Sequence, residues 1–142
     1  MFIKQISIVL DNVPGAMSHV SEILGREGVN IRAISVADTS DISTVRFVVD
    51  DPARALNILK TNGFATKETD VLAVETPDHP GGLNAVLKPL KNAGINVHYL
   101  YPHLGRIGGQ AIVILGVDKP EEAQKALQQN WVRTMGKEVY SI

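Results

Sequence analysis

The chain has 142 residues, of which 44% are hydrophobic and 20% are charged, and its formal net charge is −1. This length suits one ordinary domain or two small ones, and it allows a stable core without covalent staples. The absence of cysteine excludes a disulfide scaffold, zinc–thiolate sites and thiol catalysis. The near-neutral charge gives no general attraction to nucleic acid or an anionic membrane. Without a signal-peptide pattern or a run of roughly 20 apolar residues, the sequence predicts a cytoplasmic protein with no membrane segment.

Strand and helix patterns alternate along the first half of the chain. Residues 4–10 alternate in part and are rich in β-branched side chains, which predicts a strand. A helix is expected between Pro14, which suits a first helical turn, and Gly28, which suits a helix end. The further predicted elements are strands at 30–38 and 44–49, a helix that begins at Pro52 and ends before Gly63, and a strand at 65–70. The order βαββαβ is typical of the ferredoxin-like class of α+β folds.

The second half of the chain repeats this pattern. Pro14-Gly15 recurs as Pro80-Gly81 and Gly28-Val29-Asn30-Ile31 recurs as Gly94-Ile95-Asn96-Val97, both 66 residues later. After two extra residues, the offset becomes 68. The second copy is predicted to contain elements at 71–76, 80–93, 95–102, 110–117, 120–129 and 137–142. The sequence therefore predicts two domains, at 1–70 and 71–142. Because residues 64–76 contain no Gly or Pro, the last strand of the first domain is expected to run almost directly into the second domain.

No group of side chains has the spacing of a known catalytic or metal-binding motif. No serine lies in a Gly-x-Ser-x-Gly elbow, and the Gly-rich segment 105–109 joins two strands instead of a strand and a helix. His98 and His103 are five residues apart, which places them on opposite faces of a strand. The third strand of each copy also lacks the interleaved aromatic and basic residues of RNA-binding sheets. We therefore expect no enzymatic activity, no cofactor or metal, and no nucleic-acid partner.

The two strand-to-helix loops, Asp11–Met17 and Pro77–Leu83, are the most informative segments. Each contains Pro-Gly, where the proline fixes φ and the glycine, which has no Cβ, permits close approach of a ligand or of backbone. The free N–H groups at the start of the following helix can form an anion site. Alternatively, Asn12 and Asp78 cap the helices and satisfy these donors themselves.

These loops, with Gly-Val-Asn-Ile and Gly-Ile-Asn-Val further along, resemble the ACT domain, a small amino-acid-binding regulatory module. The resemblance covers essentially the whole chain, twice. It implies two ferredoxin-like units paired into one eight-stranded antiparallel sheet with the helices on one face. It also implies an effector amino acid bound where the loop of one unit meets the second strand of the other. The ligand-binding residues implied by the resemblance are Asp11, Asn12, Pro14, Gly15, Ala16, Asn30, Ile31, Asp78, His79, Pro80, Gly81, Gly82, Asn96 and Val97.

The expected function is that of a non-catalytic regulatory protein that binds an amino acid effector and forms a homodimer through the apolar face of its sheet. One alternative is a regulatory subunit that acts mainly by docking on a separate enzyme of amino-acid metabolism, as in a resemblance to small acetolactate synthase subunits. The other is an enzyme on the same scaffold, which would need a clustered acid–base pair that the sequence lacks.

The two ligand sites are not expected to be equivalent. The neutral amide of Asn12 can both donate and accept, whereas Asp78 is ionised, so we expect tighter binding at the Asn12 loop. Tyr99 and Tyr101 are predicted to share one face of the second copy's second strand. They either pack at the sheet edge or border a site that accepts a larger apolar amino acid.

Overall fold

The computed structural model describes residues 2–142, which contain seven strands and four α-helices. The strands are β1 (Ile3–Asp11), β2 (Ile31–Asp38), β3 (Ile42–Val49), β4 (Thr66–Thr76), β5 (Val97–Ile107), β6 (Gln110–Val117) and β7 (Thr134–Met135). The helices are α1 (Ala16–Arg26), α2 (Pro52–Thr61), α3 (Gly82–Asn92) and α4 (Pro120–Gln129), and a 3-10 helix spans Lys137–Tyr140. Among these residues, no helix is long and apolar enough to cross a membrane. The chain divides into one unit of residues 4–69 and another of residues 2–3 and 70–142.

In the unit of residues 4–69, β1 lies between β3 and β4, and β3 also pairs with β2. The β1–β3 and β2–β3 pairs are antiparallel, with Ile8 opposite Val45 and Ile34 opposite Phe47. Every second residue of β1 and β3 faces α1 and α2. These side chains pack against the apolar faces of the two helices and form one buried layer. The core of this unit consists of Ile6, Ile8, Leu10, Val20, Ile23, Leu24, Val29, Val45, Phe47, Val49, Ala55, Ile58 and Leu59.

The unit of residues 70–142 has the same organisation. Its strands lie in the order β7–β4–β6–β5, all antiparallel, with Leu72 opposite Leu115 and Val74 opposite Val113. Its core consists of Leu72, Val74, Val86, Leu90, Ile95, Val113, Leu115, Ala123, Ala126 and Leu127. The βαββαβ order predicted from the repeat is therefore confirmed in both halves of the chain.

The strands differ from the prediction at two places. The predicted strands at 65–70 and 71–76 form one continuous strand, β4, so seven strands replace the expected eight. The predicted last strand at 137–142 is wrong, because the edge strand is the short β7, in which Met135 pairs with Ala73. After β7 the backbone bonds locally: the N–H of Gly136 donates to the Glu138 carboxylate, and the N–H of Val139 donates to the Gly136 carbonyl. These local bonds favour a 3-10 turn over a longer edge strand.

The first helix of each unit begins two residues later than the prolines predict. Gly15 and Gly81 adopt φ of 86° and 82°, which a right-handed helix cannot include, so α1 and α3 begin at Ala16 and Gly82. By contrast, α2 and α4 begin with Pro52 and Pro120 as predicted.

The sheet face opposite α3 and α4 is apolar, as expected, but it is buried within a single chain. Ile112 and Ile114 on this face have no exposed surface. Part of the C-terminal segment lies here, because Nε2 of His103 donates to the Val139 carbonyl at 2.7 Å. Nδ1 of the same ring accepts from the N–H of Gly105 at 2.8 Å. This face therefore needs no second chain to exclude water.

Candidate functional site

The first predicted ligand loop follows β1 and is held by bonds to the β2–β3 turn. The Asn12 N–H donates to the Asp41 carbonyl at 2.9 Å, and Nδ2 of the same residue donates to the Thr39 carbonyl at 3.0 Å. Within residues 2–142, this is the only bond of the Asn12 amide, so Oδ1 remains an acceptor for a ligand. Pro14 and Gly15 complete an exposed turn that ends at the first residue of α1.

The capping interpretation is wrong for both loops. The N-cap residues of α1 and α3 are Gly15 and Gly81, and no side chain bonds to either helix start. Asn12 is committed to Thr39, and Oδ2 of Asp78 accepts from Nη1 of Arg106 at 2.8 Å. The N–H groups of Ala16 and Gly82 donate to the Val13 and His79 carbonyls, so only the remaining donors of each first turn are left to solvent or to a bound anion.

The second loop has a tighter backbone than the first. The Gly82 N–H donates to the His79 carbonyl at 2.9 Å, and Nδ1 of His79 donates to the Pro80 carbonyl at 2.9 Å. A Cβ on Gly82 would overlap the Pro77 carbonyl oxygen. At the equivalent position the first loop has Ala16. The first loop therefore accommodates a Cβ at a position where the second loop does not. The expected difference in ligand affinity between the two sites stays a prediction.

Asn30 and Asn96 occupy matching positions just before β2 and β5. Their N–H groups donate to Oδ1 of Asp50 and of Asp118, respectively, both at 3.0 Å. The two aspartates return the bond through their own N–H groups, at 3.0 and 3.2 Å. This role was not predicted from the sequence, although the repeat aligns the two aspartates. The Asn96 amide also lies 3.3 Å from Nδ1 of His98.

The predicted site residues fall into two groups within each unit. Residues 11–16 lie at the N-terminal end of α1, whereas Asn30 and Ile31 follow its C-terminal end. An eleven-residue helix is roughly 16 Å long, so one unit does not bring its own loop and asparagine together. The same separation holds for residues 78–82 and for Asn96 and Val97, at the two ends of α3.

Tyr99 and Tyr101 share one face of β5, as alternation predicts. Their rings stack with centroids 6.4 Å apart. Tyr101 is buried, and the Tyr99 ring lies so close to Gly116 that a Cβ there would overlap it. This arrangement supports the packing interpretation over a role in accepting a larger ligand.

A cavity of about 270 Å³ lies beside the second loop and was not predicted. It is lined by Glu75, Pro77, Ala85, Val86, Gln110, Asn130, Trp131, Val132 and Arg133. One signal in the sequence marks this region: the repeat places Trp131, a large aromatic residue, where the first unit has Gly63. Among the described residues, no cluster of three or more His, Cys, Asp or Glu could hold a metal ion.

Several solved protein structures have a fold similar to that of this chain. A solved structure of protein BT0572 from Bacteroides thetaiotaomicron is 31% identical, with a TM-score of 0.92 over 100% of this chain and 98% of that chain. Regulatory subunits of aspartate kinase from Thermus thermophilus and Thermus flavus are 17% and 18% identical, with TM-scores of 0.66 and 0.62. Each match covers 90% of this chain and 92% of the aspartate kinase subunit. At this level of identity, the similarity shows only a shared fold. A search of the curated proteins found no match.

A family model described as an ACT domain pair matches residues 1–139, nearly the full length. The structure contains the two βαββαβ units that such a pair requires, each with the Pro-Gly loop before its first helix. The chain therefore belongs to the ACT domain pair family.

Proposed function

We propose that this protein is a non-catalytic regulator that binds an amino acid at its strand-to-helix loops, with residues 1–70 and 71–142 as its two ACT domains. The observation that carries the proposal is the uncapped start of α1 and α3. In both helices a left-handed glycine precedes the first turn, and no side chain occupies the N–H groups there. These donors and the positive end of the helix dipole favour a carboxylate.

The first loop also offers groups for the ammonium end of an amino acid. Oδ1 of Asn12 has no partner within residues 2–142, and the exposed Asp11 carboxylate is its chain neighbour. An ammonium prefers such oxygen acceptors, and bonds to charged groups are the stronger class. Since one unit does not bring its loop and asparagine together, we propose that each site is completed by the second strand of a paired ACT unit, with Asn30 or Asn96 as the reaching residue.

Asn12→Ala is expected to weaken amino acid binding by about 1–3 kcal/mol, because it removes a polar partner of the ligand. The ligand is first identified by thermal-shift screening against the common amino acids, since a ligand of the native state raises apparent stability. Its affinity for each variant is then measured by titration calorimetry.

The matched control is Asp78→Ala in the second loop. Asp78 is paired with Arg106 in an exposed ion pair, so its loss should change stability by about 1 kcal/mol or less and leave the tighter site intact. If Asp78→Ala abolished binding while Asn12→Ala bound normally, the assignment of the tighter site to the first loop would be wrong.

We further propose that the protein acts as a homodimer in the cytoplasm and regulates a separate enzyme of amino-acid metabolism. Exposed apolar side chains on several strands support the dimer: Val9, Val36, Ile42 and Leu104 are each between 43% and 69% exposed. Sedimentation equilibrium at micromolar concentration should give twice the 15.4 kDa mass of one chain. A mass of a single chain under these conditions would rule out this dimer.

A further inference from the structure

The four helices end in the same way, but one of them carries an unusual residue. In each helix the N–H of the second residue after the C-cap bonds back to a carbonyl five residues earlier, as in Val29 to Leu24 and Val132 to Leu127. This Schellman motif requires a left-handed residue between the C-cap and that donor. The first three helices place Gly28, Gly63 and Gly94 there, whereas α4 places Trp131 there, with φ of 63°.

Trp131 therefore has an unfavourable backbone conformation and a side chain that is almost fully exposed. A residue with a Cβ is disfavoured in the left-handed region, and tryptophan is among the largest side chains that could stand there. Its side chain contributes nothing to the core, because the residue is 95% exposed. Within residues 2–142 the indole has no hydrogen-bond or ring partner. Fold stability does not explain this residue, which borders the cavity beside the second loop.

The cavity is also lined by a partly exposed ion pair, formed by Glu75 and Arg133. Nη1 of Arg133 lies 3.3 Å from Oε2 of Glu75, and the two residues are neighbours on paired chain segments. In the described part of the chain, this is the only bond of the Arg133 guanidinium, which has five N–H donors. Ala85 lines the cavity, and because Pro89 has no N–H, the Ala85 carbonyl lacks the helical bond from residue 89.

We propose that this cavity, which the second loop borders at Pro77, is an additional binding site for a zwitterionic α-amino acid with an apolar side chain, distinct from the uncapped helix starts at the two loops. The ligand carboxylate pairs with Arg133, and its ammonium pairs with Glu75 and the Ala85 carbonyl. Its side chain lies between Trp131 and the apolar wall that includes Val86 and Val132. The volume of about 270 Å³ lies just below the ~300–1,000 Å³ of typical small-molecule sites, which suits a ligand of this size.

The charge pattern selects for a ligand that carries both charges. A zwitterion replaces the Glu75–Arg133 pair by two new pairs and leaves no charge without a partner. A ligand with one charge would separate the pair and leave Glu75 or Arg133 unpaired, which costs affinity. The site should therefore discriminate against amines and carboxylic acids of the same shape.

The experiment uses the indole itself, since Trp131 is the only tryptophan of the chain. L-leucine is titrated to millimolar concentration while tryptophan emission is followed, with isoamylamine and 4-methylpentanoate as analogues that lack one charge. We expect a saturable blue shift with leucine only. Arg133→Gln and Glu75→Gln should each weaken it roughly tenfold or more, as for a lost charge-assisted bond, and Asn12→Ala should leave it unchanged.

Trp131→Gly is the structural control, because glycine is the residue that the other three helices use. It should fold and raise Tm by about 2–5 °C through relief of backbone strain, while leucine binding at the cavity, measured by calorimetry in the Asn12→Ala background, is lost. The proposal is overturned if leucine leaves the emission unchanged, if isoamylamine or 4-methylpentanoate acts equally well, or if the response survives Arg133→Gln. A response lost in Asn12→Ala but kept in Arg133→Gln would place leucine at the loop, which supports the proposed function and refutes the cavity site.

Discussion

Gly82→Ala is expected to destabilise the unit of residues 70–142 by about 3 kcal/mol. The new Cβ would overlap the carbonyl oxygen of Pro77 and lie 2.8 Å from its carbon. Because these are backbone atoms at the start of the loop, the clash can be relieved only by moving the loop and the first turn of α3. Urea unfolding followed by far-ultraviolet circular dichroism measures the loss.

Two other glycines separate this clash from the general effect of adding a methyl group. Gly81→Ala has open space around its Cβ but a left-handed backbone, so it should cost about 1 kcal/mol. Gly25→Ala lies inside α1 with no atom within 4 Å, and it should stabilise by about 0.5–1 kcal/mol through helix propensity. Equal stabilities of the Gly82 and Gly81 variants would show that the loop relaxes around the methyl group.

Phe47→Ala is expected to cost about 3–5 kcal/mol in the unit of residues 4–69. Phe47 is among the largest fully buried side chains, and it lies on β3 within the core against α1 and α2. Its removal loses apolar burial and leaves a cavity that close-packed neighbours fill only in part. The midpoint of urea unfolding should fall accordingly.

The second unit supplies a natural control for this change. Leu115 stands at the repeat position of Phe47 and is equally buried, so this place in the fold accommodates leucine. Phe47→Leu should therefore cost about 1 kcal/mol, as expected when an apolar side chain of similar volume repacks. If leucine and alanine at position 47 were equally costly, ring shape and not cavity volume would determine stability here.

The sequence predicted the start of a helix correctly where residues at that start determine it. Pro52 and Pro120 mark the first residues of α2 and α4, since proline at a helix start loses no hydrogen bond. The last strand was misplaced because its end depends on bonds between Gly136, Glu138 and Val139 that compete with the sheet edge. Periodicity in so short a segment could not reveal that competition.

The roles of side chains in the loops were harder to predict than the loops themselves. Asn12 and Asp78 have the residue types of helix caps, but their partners Thr39 and Arg106 lie 27 and 28 residues away. Sequence reasoning detects near neighbours, and such distant partners become visible only when the strands are in register. The cavity was missed for the same reason, because Glu75 and Arg133 are separated by 58 residues.

The continuous strand β4 has a consequence for how this protein can be divided. Tandem domains usually meet in an exposed linker that tolerates cleavage, insertion or permutation. Here the border between the units falls inside a strand that pairs with β1, β6 and β7. A cut near Asp70 would divide this strand and leave a shortened piece of it at the end of each unit. For truncation or fusion, the smallest practical building block is therefore the pair and not the single ACT domain.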